Sequence, residues 1–143
     1  MPRLRKKCVL LQQTTDVMKK LLILFTLIAA LAACQESIEE RAERDAREAT
    51  AKRCPMRMNN EGTLILERIH FDRSTRTWKQ DFLLDSLFDV DYREILLGEL
   101  KNTPSYQPYM DNGFNFLYVF LRMSNPKDTL ISILLTPKDY AKR

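Results

Sequence analysis

The run Phe114–Met123, FNFLYVFLRM, is the most hydrophobic stretch of the chain downstream of residue 34. Its aromatic residues occupy alternate positions, and aliphatic or thioether side chains occupy most of the positions between them, so both faces of an extended strand would be apolar. A strand with two apolar faces is typical of the centre of a sheet, where neither face meets water. This run therefore predicts a central strand of the sheet.

The segments next to this strand predict a hairpin and a core helix. Thr129–Thr136 (TLISILLT) follows a turn of polar residues and has strand composition, so we expect it to pair with the central strand. Upstream, Asp91–Lys101 has a wide apolar stripe at helical spacing, and Asp91 is a suitable N-cap. Residues 103–113 lie between the helix and the strand, and their prolines and closing Asp-Asn-Gly predict a loop.

Further upstream the sequence predicts a first hairpin. Thr63–Phe71 and Thr75–Leu84 are rich in β-forming residues and are separated by the short turn Asp72-Arg73-Ser74. In the second run, Trp78 and Phe82 fall on one face and charged residues fall on the other. We therefore expect one face of this hairpin to pack against the core.

A charged helix over Ser37–Arg53 precedes both hairpins. Ser37 and Glu40 match the capping box, in which each side chain satisfies a backbone N–H of the first turn. The apolar stripe of this helix is thin, because it consists of Ile38 and a row of alanines. Two arrangements follow: a solvated stalk about 25 Å long, or a helix whose alanine ridge docks on the sheet.

The order helix, hairpin, helix, hairpin predicts an α+β fold, with a four-stranded, mainly antiparallel sheet packed on one core helix. That helix covers one face of the central strand. The other face is either an open binding or dimerisation surface, or is closed by loops and the first helix. The candidate binding face consists of the aromatic residues Trp78, Tyr106, Tyr109, Phe114, Phe116, Tyr118 and Phe120.

The stretch Met18–Cys34, MKKLLILFTLIAALAAC, has the layout of a secretory signal. Two lysines precede an apolar run that ends at Cys34, and this run is shorter than the roughly 20 residues that a membrane span needs. Its last four residues, Leu31-Ala32-Ala33-Cys34, resemble the lipobox of bacterial lipoproteins. The alternative is an ordinary signal peptide that is followed by a cysteine by chance.

The lipobox resemblance implies that Cys34 carries lipid, including palmitate-type acyl chains, and becomes the mature N-terminus. It also implies attachment to a membrane of the bacterial cell envelope, and Gln35 after the cysteine favours the outer membrane. After Cys34 come a charged helix, the step Cys54-Pro55 and a strand that begins at Thr63. In these features the mature chain resembles small bacterial lipoproteins for which no activity is known. We accordingly divide it into an upstream extension (1–17), a signal peptide (18–33), a lipidated terminus with the charged helix as a tether (34–53) and one α+β domain (54–143).

Removal of the signal changes the charge and the cysteine count. Residues 34–143 contain 17 of the 23 Lys and Arg residues and 18 of the 19 acidic residues, so the net charge of +4 becomes −1. The mature chain is therefore not basic, and its composition does not indicate nucleic acid as a partner. Cys8 lies upstream and Cys34 would be a thioether, which leaves Cys54 without an intramolecular partner.

The sequence predicts neither catalysis nor a metal or cofactor site. One histidine, His70, and one available cysteine cannot form a zinc site by themselves, and the glycines are too far apart for a phosphate-binding loop. We therefore expect a non-enzymatic, lipid-anchored binding or assembly module, whose partner is an envelope protein or a second copy of the chain. The alternative is a small-molecule or lipid-binding domain that uses the aromatic face of the 114–123 strand.

Overall fold

The computed structural model describes residues 15–24 and 35–141. The chain divides into two units between Glu36 and Ser37, and residues 15–24 of the first are helical. Cys34, the lipobox and most of the upstream extension lie outside the described residues. Within the described ranges, no helix is both long enough and apolar enough to cross a membrane.

The second unit confirms the α+β class. Its elements in chain order are α1 (Ile38–Arg53), β1 (Met56–Arg57), β2 (Leu64–Asp72), β3 (Thr77–Leu84), α2 (Tyr92–Asn102), a 3₁₀ turn (Pro104–Tyr106), α3 (Gln107–Asp111), β4 (Asn115–Arg122), β5 (Asn125–Leu135) and α4 (Pro137–Tyr140). The segment predicted as a loop between α2 and β4 thus contains the 3₁₀ turn and α3.

The strands form one sheet in the order β1-β2-β3-β4-β5. The pairings β1–β2, β2–β3 and β4–β5 are antiparallel and β3–β4 is parallel, so the sheet is mainly antiparallel, as predicted. The number of strands is five, not four, because Met56 pairs with Leu66 and Arg57 pairs with Ile65. A strand of two residues is too short to show an alternating pattern.

The prediction that β4 is an interior strand is confirmed. It lies between β3 and β5, with Phe116 opposite Trp78 on one side and opposite Leu135 on the other. The parallel pairing of β3 with β4 requires a crossover connection, and α2 lies within it. Leu96 and Leu100 of α2 are buried in the core, as expected for the core helix.

A second helix, α1, also packs on the sheet, which corrects the expectation of a single packed helix. Its capping box is formed: the Ser37 hydroxyl accepts from the Glu40 N–H at 3.1 Å, and the Glu40 carboxylate accepts from the Ser37 N–H at 3.2 Å. Ala42 and Ala46 are 0% and 2% exposed. The structure therefore shows the docked arrangement and not a solvated stalk, and the compact unit that contains the sheet begins at Ser37.

Candidate functional site

The predicted binding face lies mostly in the hydrophobic core. Six of its seven aromatic side chains are at most 4% exposed, and Tyr106 is half-buried. The rings pack on one another: Phe82 stacks on Phe120 with centroids 5.0 Å apart, and Tyr106 meets Phe116 edge-on at 5.7 Å. The aromatic face of β4 is therefore covered, because helices, the 3₁₀ turn and α3 close over it.

Three of these residues are brought together at a groove of about 290 Å³. Trp78 stacks on Tyr109 at 5.2 Å and meets Tyr106 edge-on at 5.8 Å. The opposite wall is the second half of α1. The complete lining is Asp45, Glu48, Ala49, Lys52, Arg53, Ile69, Trp78, Ser105, Tyr106 and Tyr109. Phe114, Phe116, Tyr118 and Phe120 are not part of it.

The two tyrosine hydroxyls of the groove are hydrogen-bonded. The Tyr109 hydroxyl donates to the Asp45 carboxylate, and the Tyr106 hydroxyl accepts from the Gln80 amide at 3.0 Å. Burial, together with the nearby Asp45 carboxylate, raises the pKa of Tyr109 above its ordinary value, and burial raises the pKa of Tyr106. Both phenols are therefore protonated at neutral pH, and the bond between Tyr109 and Asp45 joins α3 to α1 across the groove.

A second cavity, of about 540 Å³, lies between α1 and the outer edge of β2. His70 and Phe71 line it together with Arg47 and Arg68, but Cys54 does not. Cys54 is a free, half-buried thiol, and desolvation raises its pKa above the usual value although a hydrogen bond with Thr50 opposes this shift. Across residues 15–24 and 35–141, no group of three His, Cys, Asp or Glu side chains is placed to hold a metal ion.

The sheet face away from the helices is half-covered and carries one buried carboxylate. Leu117, Val119 and Leu121 of β4 are half-buried there. Next to them, Asp81 is only 6% exposed and lies 3.0 Å from Arg68 and 3.5 Å from Lys79. The sequence had indicated a polar face for β3, but alternation alone does not show that an acid on this face is buried between neighbouring strands.

Comparison with known proteins places this domain. Residues 37–131 match the family described as Domain of unknown function (DUF8479). The chain belongs to this family. Residues 18–35 match the prokaryotic membrane lipoprotein lipid attachment site, which confirms the lipobox resemblance. No curated protein matches the sequence.

Three solved structures share the fold of this DUF8479 protein. A Pseudomonas aeruginosa protein described as secreted superposes with a TM-score of 0.57 at 10% identity, covering 74% of this chain and 99% of its own. EpsS, a pilotin of the Vibrio vulnificus type 2 secretion system, has a TM-score of 0.56 at 14% identity. The match covers 73% of this chain and 93% of EpsS. AspS, the type II secretion pilotin of Vibrio cholerae, has a TM-score of 0.54 at 16% identity. The match covers 77% of this chain and 98% of AspS. At these identities the likeness shows the fold alone.

Proposed function

We propose that this protein is a non-enzymatic, lipid-anchored module that binds a protein partner and assists the assembly of a machine in the bacterial cell envelope. The observation that carries the proposal is a lipid attachment site that ends two residues before a domain with the fold of two type II secretion pilotins. The groove supports a binding role, since the Tyr109 hydroxyl is engaged by the Asp45 carboxylate and the Tyr106 hydroxyl by the Gln80 amide.

The proposed anchor is Cys34, with residues 18–33 removed as a signal peptide and residues 1–17 as an upstream extension. The outer membrane is the proposed address, because Gln35 and not aspartate follows the cysteine. In this arrangement the lipid chains hold the protein at the bilayer, since one acyl chain anchors weakly and several anchor firmly.

Metabolic labelling with an alkyne palmitate analogue tests the anchor. We expect label in the wild-type protein and in Cys54→Ala, which keeps the proposed acceptor, and none in Cys34→Ala. Membrane fractionation should place the labelled protein in the outer membrane, and Cys34→Ala should leave that fraction. Label in Cys34→Ala, or wild-type protein only in soluble fractions, would refute the anchored role.

Small-molecule binding is the second candidate, and the groove at Trp78 favours it. Its volume of about 290 Å³ is at the lower end of the range for ligand pockets, and aromatic rings form one wall. Since Trp78 is the only tryptophan and lines this groove, its fluorescence is a probe of binding there. A ligand in the groove should change that fluorescence in the wild type and not in Tyr106→Ala. An identical change in both proteins would place the ligand elsewhere.

A further inference from the structure

The two ends of the sheet differ in their distance from the proposed anchor. Only Gln35 and Glu36 separate Cys34 from the helix cap Ser37, and three residues of chain span at most about 11 Å. The start of α1 is therefore held close to the lipid. The β2–β3 turn lies beside it, because Arg76 is 3.3 Å from Glu39 and Arg73 is 3.7 Å from Glu40.

The loop after β3 is consequently at the far end of the domain. β3 starts next to that turn and runs for eight residues to Leu84, which is about 23 Å of extended chain. The loop that follows, over residues 85–91, leads into α2. It therefore faces away from the end at which the lipid holds the chain.

This far end displays an apolar surface that we call the distal patch. It consists of Leu87, Phe88, Val90 and Ile95, which are 47%, 50%, 48% and 51% exposed. Four large hydrophobic side chains within nine residues, each half in water, are unlike the scattered apolar residues of an ordinary surface. Such clusters mark docking surfaces for proteins or membranes.

The backbone behind the distal patch is held in place. The Phe88 N–H donates to the Tyr92 hydroxyl at 2.8 Å, and the Tyr92 ring packs edge-on against Phe120 with centroids 5.3 Å apart. At the start of the loop, the Asp85 N–H donates to the Thr63 carbonyl at 3.0 Å. A surface that is ordered before binding loses less conformational entropy when a partner docks.

Carboxylates alternate with the residues of the distal patch along the chain and form its rim. They belong to Asp85, Asp89, Asp91 and Glu94. Within the described residues none of the four forms an ion pair, and Arg93, the only base in residues 85–95, is 3.2 Å from Asp139. The patch is therefore apolar in the middle and negative at the rim, a combination that attracts cations and apolar side chains together.

We propose that the distal patch is the docking surface for a basic, amphipathic segment of an envelope protein, one that presents leucine-like side chains flanked by Lys or Arg. Two other occupants fit less well. An anionic bilayer would be repelled by the rim and lies at the opposite end of the domain, and a second copy would bring the same four carboxylates into contact. This inference rests on the proposed function, since it names the chemistry of that function's partner.

A peptide-binding measurement tests the proposal on the purified full-length lipoprotein. The probe is a fluorescent amphipathic peptide of leucine and lysine, and its match carries glutamate in place of lysine. We expect the lysine peptide to bind at least about tenfold more tightly, with an affinity that falls as salt is added. Phe88→Ser should weaken binding about tenfold, because it removes the largest apolar side chain of the patch. Leu134→Ser, which changes an apolar residue that is 44% exposed outside the patch, should leave it unchanged.

Several results would overturn the proposal. The first is that the two peptides bind equally well, and the second is that wild type and Phe88→Ser bind the lysine peptide equally well. The third is that the protein forms dimers that the Phe88→Ser substitution dissociates. The fourth is that the unlipidated Cys34→Ala protein binds vesicles of phosphatidylethanolamine and phosphatidylglycerol through the distal patch. The palmitate-labelling experiment separates the two levels of inference. A labelled, outer-membrane protein whose patch does not bind the lysine peptide would refute the distal patch and leave the anchored module in place.

Discussion

The hydroxyl of Thr50 on α1 makes two hydrogen bonds to the backbone of Ile69 on β2. It donates to the Ile69 carbonyl at 2.7 Å and accepts from the Ile69 N–H at 2.9 Å. Ile69 lies in the part of β2 beyond the short strand β1, where the edge of the sheet has no neighbouring strand. One side chain of the helix thus takes the place of a strand partner and protects an edge that could otherwise pair with another chain.

Replacement of Thr50 by valine should be costly. The substitution keeps the shape of the side chain but leaves the N–H and C=O of Ile69 unpaired at a partly buried site, so we expect a loss of about 2–4 kcal/mol in the free energy of unfolding. Urea unfolding followed by the fluorescence of Trp78 measures this loss. Thr50→Ser keeps the hydroxyl and should lose much less. A Thr50→Val protein as stable as Thr50→Ser would show that solvent satisfies the edge.

The docking of α1 predicts a second difference, between two alanines of the same helix. Ala42 is fully buried against the sheet, whereas Ala51 is exposed. Ala42→Leu adds volume to a filled space and should destabilise the domain by about 1–3 kcal/mol. Ala51→Leu should change stability by no more than about 0.5 kcal/mol. Equal effects of the two substitutions would indicate that α1 is not packed on the sheet in solution.

The sequence predicted those parts of the fold that local signals determine. The capping box at Ser37 and Glu40, the N-cap Asp91 and the two-sided apolar run of β4 each depend on residues that are close in the chain, and the structure contains all three. The position of α1 could not be predicted in the same way. Alanines form a weak stripe, and their burial depends on an exposed edge of β2 that appears only when the sheet assembles.

The candidate site shows the same limit. Alternation identified the aromatic residues of β4, but it could not show that helices close over Phe116 and Tyr118. The parallel pairing of β3 with β4 is also non-local, since residues 85–114 separate the two strands. The half-exposed side chains of Leu87 and Phe88 gave no periodic signal, because they lie in a loop.

Asp81 provides a prediction about a buried charge on β3. Its side chain is 9% exposed and lies 3.0 Å from Arg68, which is 57% exposed. Arg68→Leu leaves this carboxylate with only Lys79 and should cost about 1–2 kcal/mol, a value reduced by solvent screening of the exposed arginine. Asp81→Val should be close to neutral, because an apolar β-branched residue suits a buried strand position.

A double-mutant cycle separates these contributions to the stability of β3. If the pair is responsible, Arg68→Leu should have little further effect in the Asp81→Val background. A cycle in which the two substitutions add would show that Arg68 stabilises the domain through its stem and not through the carboxylate.

Tyr109 predicts how stability depends on pH above 10. Burial and the Asp45 carboxylate raise the pKa of Tyr109 in the folded protein, whereas an unfolded tyrosine titrates near about 10. Below about pH 10 the Tyr109 phenol is protonated in both the folded and the unfolded protein, so its full contribution to the free energy of unfolding is present. As the pH rises from about 10 toward the folded pKa, only the unfolded state loses its proton, and the free energy of unfolding must fall.

Tyr109→Phe cannot ionise, so the difference in stability between pH 8 and pH 11 should be smaller in this variant. Asp45→Asn removes the negative charge but keeps the burial and should reduce the loss only in part. Identical pH profiles for the wild type and Tyr109→Phe would mean that the phenol is solvated and that Asp45 does not hold α3 to α1.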